Sequence, residues 1–192
     1  MKGLLALTAV AGLATAASAQ YSSMGNLTNG LAQHGVFPAG FTGGQTVPSS
    51  WHLWTFQANA GDFINISVAR TSAVLDPVSS AFFGNANGAA FAPAGTFILD
   101  EVAIQNAIPG LVFAAEGDDD VDDPFGGPFA DPNYSFVAAN SGTYSVFVGS
   151  YFGLTSGSPE YDITVTGSTV PTPGAAALLG LGGLAATRRR RR

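Results

Sequence analysis

The sequence predicts an all-β fold, an antiparallel β-sandwich, for the central part of this 192-residue chain. Short segments rich in Val, Ile, Phe and Tyr are separated by clusters of Gly, Pro, Asn and Asp, which is typical of strands joined by tight turns. Residues 63–68 alternate strictly, with Ile64, Ile66 and Val68 on one face. Helices are predicted only at the two apolar ends of the chain, which would flank the sandwich.

The predicted strands follow a lead-in at residues 20–50, which is rich in Gly, Asn, Thr and Pro and is expected to be irregular. They cover residues 51–56, 63–68, 78–83, 95–99, 111–115, 134–138, 143–149 and 161–166. Residues 51–169 would then form one β-sandwich domain with a single core. The chain contains no cysteine, so we expect neither disulfides nor thiolate chemistry.

Residues 1–19 are predicted to be a Sec signal peptide. Lys2 precedes an apolar stretch at residues 4–17, and Ala17 and Ala19 have the spacing of a small-x-small cleavage site. Cleavage there makes Gln20 the mature N-terminus. We therefore expect an exported protein whose partners include the Sec translocon and signal peptidase.

Residues 170–192 contain a turn motif, an apolar run and a basic end. The motif is Val170, Pro171, Thr172 and Pro173; the run covers residues 174–186; the basic end is Arg188, Arg189, Arg190, Arg191 and Arg192. Because arginines cross a bilayer at high cost, they would hold this end on the cytoplasmic side. A helix over 174–187 is about 21 Å long and the bilayer core is about 30 Å thick, so we expect transient inner-membrane anchoring. A permanent tail anchor is the alternative.

The body between these ends is strongly acidic. Six of the seven basic residues lie in the two removable ends, which leaves Arg70 against thirteen acidic residues, a formal charge of −12. Such a surface repels nucleic acid, so we expect no nucleic-acid partner.

Motifs for catalysis are missing from the sequence. His34 and His52 are the only histidines, and neither a G-x-S-x-G nor an H-E-x-x-H motif is present. His52 lies in an aromatic strand and is expected to be a structural or surface residue. The protein is therefore predicted not to be an enzyme, with no catalytic residues.

One acidic segment is a candidate metal site. It contains six carboxylates, at Glu116, Asp118, Asp119, Asp120, Asp122 and Asp123. They would repel one another unless solvent, salt or a cation screens them, so the segment is either a solvated turn or a weak calcium site. Its spacing is not that of an EF-hand. Asp76 and Asp131 each precede a proline and are interpreted as turn residues.

Aromatic residues in the predicted loops raise the possibility of sugar binding. Phe125, Phe129, Tyr151 and Phe152 lie in Gly- and Pro-rich segments. They would either stack on an extracellular polysaccharide or close the ends of the sandwich.

Several short motifs in residues 51–167 resemble the bacterial pre-peptidase C-terminal domain family. They are Trp54-Thr55-Phe56, the run from Ala60 to Val68, Leu75-Asp76-Pro77, Gly117-Asp118-Asp119-Asp120, Tyr134-Ser135-Phe136, Ser141 to Val148 and Tyr161 to Val165. The resemblance implies a jelly-roll-like sandwich that serves as an accessory module without catalysis of its own.

The C-terminal segment resembles the PEP-CTERM sorting signal, with Thr172 in place of the usual glutamate. The resemblance implies cleavage by an exosortase in a bacterium that makes extracellular polysaccharide. We therefore expect a non-enzymatic surface or extracellular-matrix protein that is anchored transiently and then lies on the cell surface or outside the cell. The alternative is a polysaccharide-binding module assisted by calcium.

Overall fold

A computed structural model describes residues 21–39, 51–89, 97–121, 125, 130–152 and 157–169. These residues form nine strands and one short helix. In chain order the elements are β1 (Tyr21–Asn26), β2 (Gln33–Val36), β3 (Trp51–Ala58), β4 (Phe63–Arg70), β5 (Pro77–Phe83), α1 (Glu101–Ala107), β6 (Val112–Gly117), β7 (Asn133–Val137), β8 (Gly142–Ser150) and β9 (Glu160–Thr166). The helices predicted at the two ends lie outside the described residues, and within those residues no helix has the length and hydropathy to cross a membrane.

The strands form two sheets. Sheet A has the order β1-β3-β8-β5-β6 and sheet B the order β2-β9-β4-β7. All neighbouring strands pair antiparallel except β1 and β3, which run parallel. The predicted all-β fold with mainly antiparallel pairing is thereby confirmed, with one parallel pair at the edge of sheet A.

The main core lies between the two sheets. Ile64, Ile66 and Val68 of β4 are fully buried in it, as the alternation of residues 63–68 predicts. Val146 and Val148 of β8 face them from sheet A. Burial of each such side chain stabilises the fold by about 1.5–3 kcal/mol, so this layer holds the two sheets together.

A second core covers the outer face of sheet A. Leu53, Phe82 and Phe147 pack there against Ile98 and against Ile104 of α1. Because β3, β5 and β8 are covered on both faces, almost all of their residues are buried and their sequences show no strict alternation.

Three stretches differ from the sequence prediction. The lead-in expected to be irregular contains β1 and β2, which are edge strands and bury too few residues to show an apolar pattern. Phe97–Leu99, the described part of the predicted strand at 95–99, forms a turn instead. Asp100 then caps α1 by accepting a hydrogen bond from the Ala103 N–H at 2.9 Å. The helix has one buried residue, so no helical period marks it in the sequence.

Candidate metal centre

Three aspartates meet at the end of sheet A where β5 begins and β6 ends. Ser79 pairs with Gly117 in the antiparallel β5–β6 ladder, so the residues before β5 lie beside those after β6. Asp76 immediately precedes β5, and Asp118 and Asp119 follow β6. One carboxylate oxygen from each of the three lies within 4.8 Å of the others. We call this group the aspartate cluster.

The aspartate cluster extends from the interior to the surface. Asp76 is 5% exposed and its Oδ1 has no hydrogen-bond partner among the described residues. Asp118 is half-buried and Asp119 is exposed. Because a buried carboxylate oxygen is normally hydrogen-bonded, the free Oδ1 of Asp76 lacks the partner that its burial requires.

Burial and mutual repulsion raise the pKa values of the two inner carboxyls. Desolvation raises the pKa of Asp76 to about 6, and the negative charges of Asp118 and Asp119 raise it further. The positive charge of Arg70 lowers this pKa, and the charge of Asp131 raises it slightly. Desolvation likewise raises the pKa of Asp118 to about 6, with contributions from Asp119 and Asp120. At neutral pH the aspartate cluster is therefore negatively charged, and a bound cation would relieve this unfavourable state.

Arg70 is a basic group close to this region, and it is held by other residues. Its side chain is buried, with Nε 3.4 Å from Asp131 Oδ1. Its Nη1 donates a hydrogen bond to the Leu75 carbonyl oxygen at 3.0 Å. The guanidinium also lies 5.7 Å from the centre of the Phe125 ring. Arg70 thus offsets the charge of Asp131, and its effect on Asp76 is smaller than the effect of burial.

Hydrogen bonds join the described residues just after β6 to those just before and at the start of β7. The Ala130 N–H donates to Asp119 Oδ1 at 2.7 Å, and the Asn133 N–H donates to Asp120 Oδ2 at 3.0 Å. An isolated bridge joins Val121 to Asp131. The loop is therefore closed at its base, and Asp118 and Asp119 leave β6 in a defined position.

The six carboxylates of the predicted calcium site do not form one group in the structure. It brings Asp118 and Asp119 together with Asp76, which the sequence indicates only as a turn residue. Glu116 lies on β6 opposite Ser80, and Asp120 accepts the backbone hydrogen bond from Asn133. Asp122 and Asp123 lie outside the described residues. Asp131, also interpreted as a turn residue, is ion-paired with Arg70.

Three of the four predicted sugar-stacking aromatics are described. Phe125 and Phe152 are each 50% exposed. Tyr151 is half-buried, with ring centroids 5.3 Å from Phe97 and 5.0 Å from Phe152. The Tyr151 N–H donates to the Asp76 carbonyl oxygen at 2.8 Å, so this aromatic pair adjoins the aspartate cluster. Phe129 lies outside the described residues.

The two histidines make contacts that stabilise the fold. His52 is buried, stacks on Phe37 with ring centroids 4.1 Å apart, and contacts the Tyr161 hydroxyl through Nδ1 at 2.8 Å. Burial lowers the pKa of His52 to about 4, so it is neutral at physiological pH. His34 lies on the surface with Nδ1 2.8 Å from Asp162 Oδ1. His52 was predicted to be a structural or a surface residue, and its burial and contacts agree with the structural alternative.

Solved structures of similar fold are known, whereas no protein-family model and no curated protein matches the sequence. The chain is similar to CorA of Methylomicrobium album BG8, described as a surface-associated copper-binding protein important in copper acquisition. The TM-score is 0.51 at 9% identity, over 76% of this chain and 98% of that chain. At this identity the likeness shows a shared fold only.

Two further structures are more distant. The secreted protein MopE of Methylococcus capsulatus, described as copper-binding, has a TM-score of 0.44 at 14% identity, over 74% of this chain and 86% of that chain. The pre-peptidase C-terminal domain of a Bacillus anthracis collagenase has a TM-score of 0.36 at 16% identity, over 76% of this chain and 94% of that chain. With TM-scores below 0.5, these two likenesses carry no argument.

Proposed function

We propose that this chain is an exported, non-enzymatic protein of the cell surface or extracellular matrix, sorted by its PEP-CTERM-like tail and released from the membrane by an exosortase. Its body would be a sandwich of the pre-peptidase C-terminal kind. Sec export and signal-peptidase cleavage come first in this scheme. The tail then retains the protein in the inner membrane until the exosortase cleaves near Pro171.

The observation that carries this proposal is the extent of the folded body. β1 begins at Tyr21, directly after the expected cleavage site, and β9 ends at Thr166. Thr169 is tied back to the body, since its N–H donates to Asp62 Oδ2 at 3.0 Å and its hydroxyl donates to Asp62 Oδ1 at 2.8 Å. Removal of residues 1–19 and of the tail would therefore leave every described strand of the two sheets in place.

The shared fold of CorA also supports a surface location, because that protein is described as surface-associated. The support concerns location alone, since a fold can serve many functions.

The test is the intact mass and the cell fraction of the protein, expressed in hosts with and without an exosortase. We expect a product that begins at Gln20 and lacks the five arginines only where the exosortase is present. A variant with Pro171→Ala and Pro173→Ala is the matched control, which should be exported and retain its tail. Membrane-bound protein that keeps its arginines in both hosts would refute the proposal and make the tail a permanent anchor.

A second candidate function is polysaccharide binding, and the exposed rings of Phe125 and Phe152 favour it. Phe125 and Phe152 are half exposed, and aromatic faces of this kind stack on sugars. A glycan array with the wild type, Phe125→Ala and Phe152→Ala tests this function. Saturable binding that either substitution abolishes would support it, and no binding by the wild type would exclude it for the glycans on the array.

A further inference from the structure

The inner end of the aspartate cluster contains a buried oxygen atom to which no described residue donates a hydrogen bond. Asp76 Oδ1 is inaccessible to solvent and has no partner among the described residues, although Asp76 itself is 5% exposed. A buried carboxylate oxygen without a donor is costly unless a ligand satisfies it.

The carboxyl of Asp76 is directed into the aspartate cluster, because one of its oxygens lies within 4.8 Å of oxygens from Asp118 and Asp119. This separation suits one metal ion, since two oxygens on opposite sides of a calcium ion are about 4.8 Å apart for bonds of about 2.4 Å. Arg70 does not replace such an ion, because Asp131 and the Leu75 carbonyl hold its side chain.

The chemistry of the donors selects the ion. All three donors are carboxylates. Calcium and magnesium are bound through hard oxygen ligands such as these, whereas copper and zinc are more often bound through imidazole nitrogen or sulfur. Asp119 is exposed, so solvent reaches one side of the cluster and waters can complete the six to eight oxygens that calcium accepts. Calcium also tolerates irregular geometry better than magnesium does.

We propose that Asp76, Asp118 and Asp119 bind one calcium ion, which joins the start of β5 to the end of β6. The site differs from the six-carboxylate loop expected from the sequence, because its innermost ligand comes from a different strand connection. The site has three protein carboxylates and one side open to solvent. Its dissociation constant for calcium should therefore be about 0.1–1 mM, the range of extracellular calcium modules. The proposal does not depend on the sorting of the protein.

The test is calcium titration of the full chain, purified in detergent and freed of metal with EDTA, by isothermal titration calorimetry. We expect one calcium per chain. In about 10 mM CaCl2 the unfolding temperature should rise by about 5 °C, and NaCl of equal ionic strength should not reproduce this rise. Magnesium chloride, used in the same way, measures selectivity, and magnesium binding tighter than calcium would overturn the assignment of the ion.

Substitutions separate a specific site from general screening of an acidic surface. Asp76→Asn should weaken calcium binding at least tenfold. Asp119→Asn should have the same effect, and because Asp119 is exposed, this substitution should leave the fold intact. Glu116→Gln is the matched control, because it removes one negative charge from β6 outside the aspartate cluster and should leave binding within about twofold. No heat and no thermal shift with the wild type would overturn the proposal. Equal losses in Glu116→Gln and Asp119→Asn would also overturn it.

Discussion

The hydroxyl of Tyr161 provides a sharp test of how the interior is held together. Trp54 Nε1 donates to this hydroxyl at 2.8 Å, and His52 Nδ1 lies 2.8 Å from it. Since the Trp54 N–H can only donate, the hydroxyl accepts from Trp54, and the direction of its hydrogen bond with His52 Nδ1 follows the imidazole tautomer. All three side chains are buried, so water does not replace a lost partner.

Tyr161→Phe removes one oxygen atom and keeps the ring, so it creates two unpaired groups without a large cavity. Each buried unpaired group costs about 1–3 kcal/mol, and we expect a loss of about 2–4 kcal/mol in the free energy of unfolding. That is a large part of the roughly 5–15 kcal/mol typical of a folded domain. Urea denaturation followed by tryptophan fluorescence measures it as a lower midpoint at constant slope.

Tyr144→Phe is the matched control for this substitution. Tyr144 is also buried, but its hydroxyl bonds with the backbone of exposed Asn140: it donates to the carbonyl oxygen at 3.0 Å and accepts from the N–H at 3.4 Å. Because water can replace a partner at this exposed turn, we expect a loss of about 1 kcal/mol or less. The reasoning would be refuted if Tyr161→Phe cost no more than Tyr144→Phe.

Three further predictions concern pH and two glycines. Burial lowers the pKa of His52 to about 4, so its contribution to stability is present above about pH 6.5 and is lost as the pH falls toward 4. Urea titrations measure this loss as the difference in the free energy of unfolding between the wild type and His52→Gln. That difference should shrink by about 3 kcal/mol between about pH 6.5 and about pH 4. Gly35→Ala would place a Cβ 2.4 Å from the buried Tyr161 ring and should lower the free energy of unfolding by about 1–3 kcal/mol, seen as a lower urea midpoint. Gly117→Ala would place a Cβ 2.5 Å from Tyr134 and displace the adjoining aspartate cluster, so thermal unfolding should show both a lower midpoint and a smaller shift with calcium.

Most strands were predictable from the sequence, and where a strand has one solvated face its inward face was predictable as well. In β4, buried Ile64, Ile66 and Val68 alternate with more exposed residues, so the sequence shows both the strand and its inward face. β1 and β2 differ, because an edge strand that buries few residues leaves no alternating signal. The second core could not be predicted from the sequence. A strand that is buried on both faces appears as an apolar run, and such a run does not indicate which residues pack against each face of the sheet.

The candidate site was predictable in part. Six carboxylates within eight residues mark the loop after β6 as unusual in the sequence. The participation of Asp76 depends on the pairing of Ser79 with Gly117, which joins segments about forty residues apart in the chain. Local sequence patterns do not contain that pairing.

The sequence by itself determined the all-β class, the position of most strands and the acidic charge of the body, and it predicts a signal peptide and a sorting tail at the two ends. These properties depend on composition and on neighbours along the chain. Tertiary structure alone decided which aspartates meet, because strand order and register set distances between residues remote in sequence. It also decided that Asp76 Oδ1 is buried with no hydrogen-bond donor among the described residues, whereas Arg70 is held by Asp131. The aspartate cluster is therefore a candidate site for a cation.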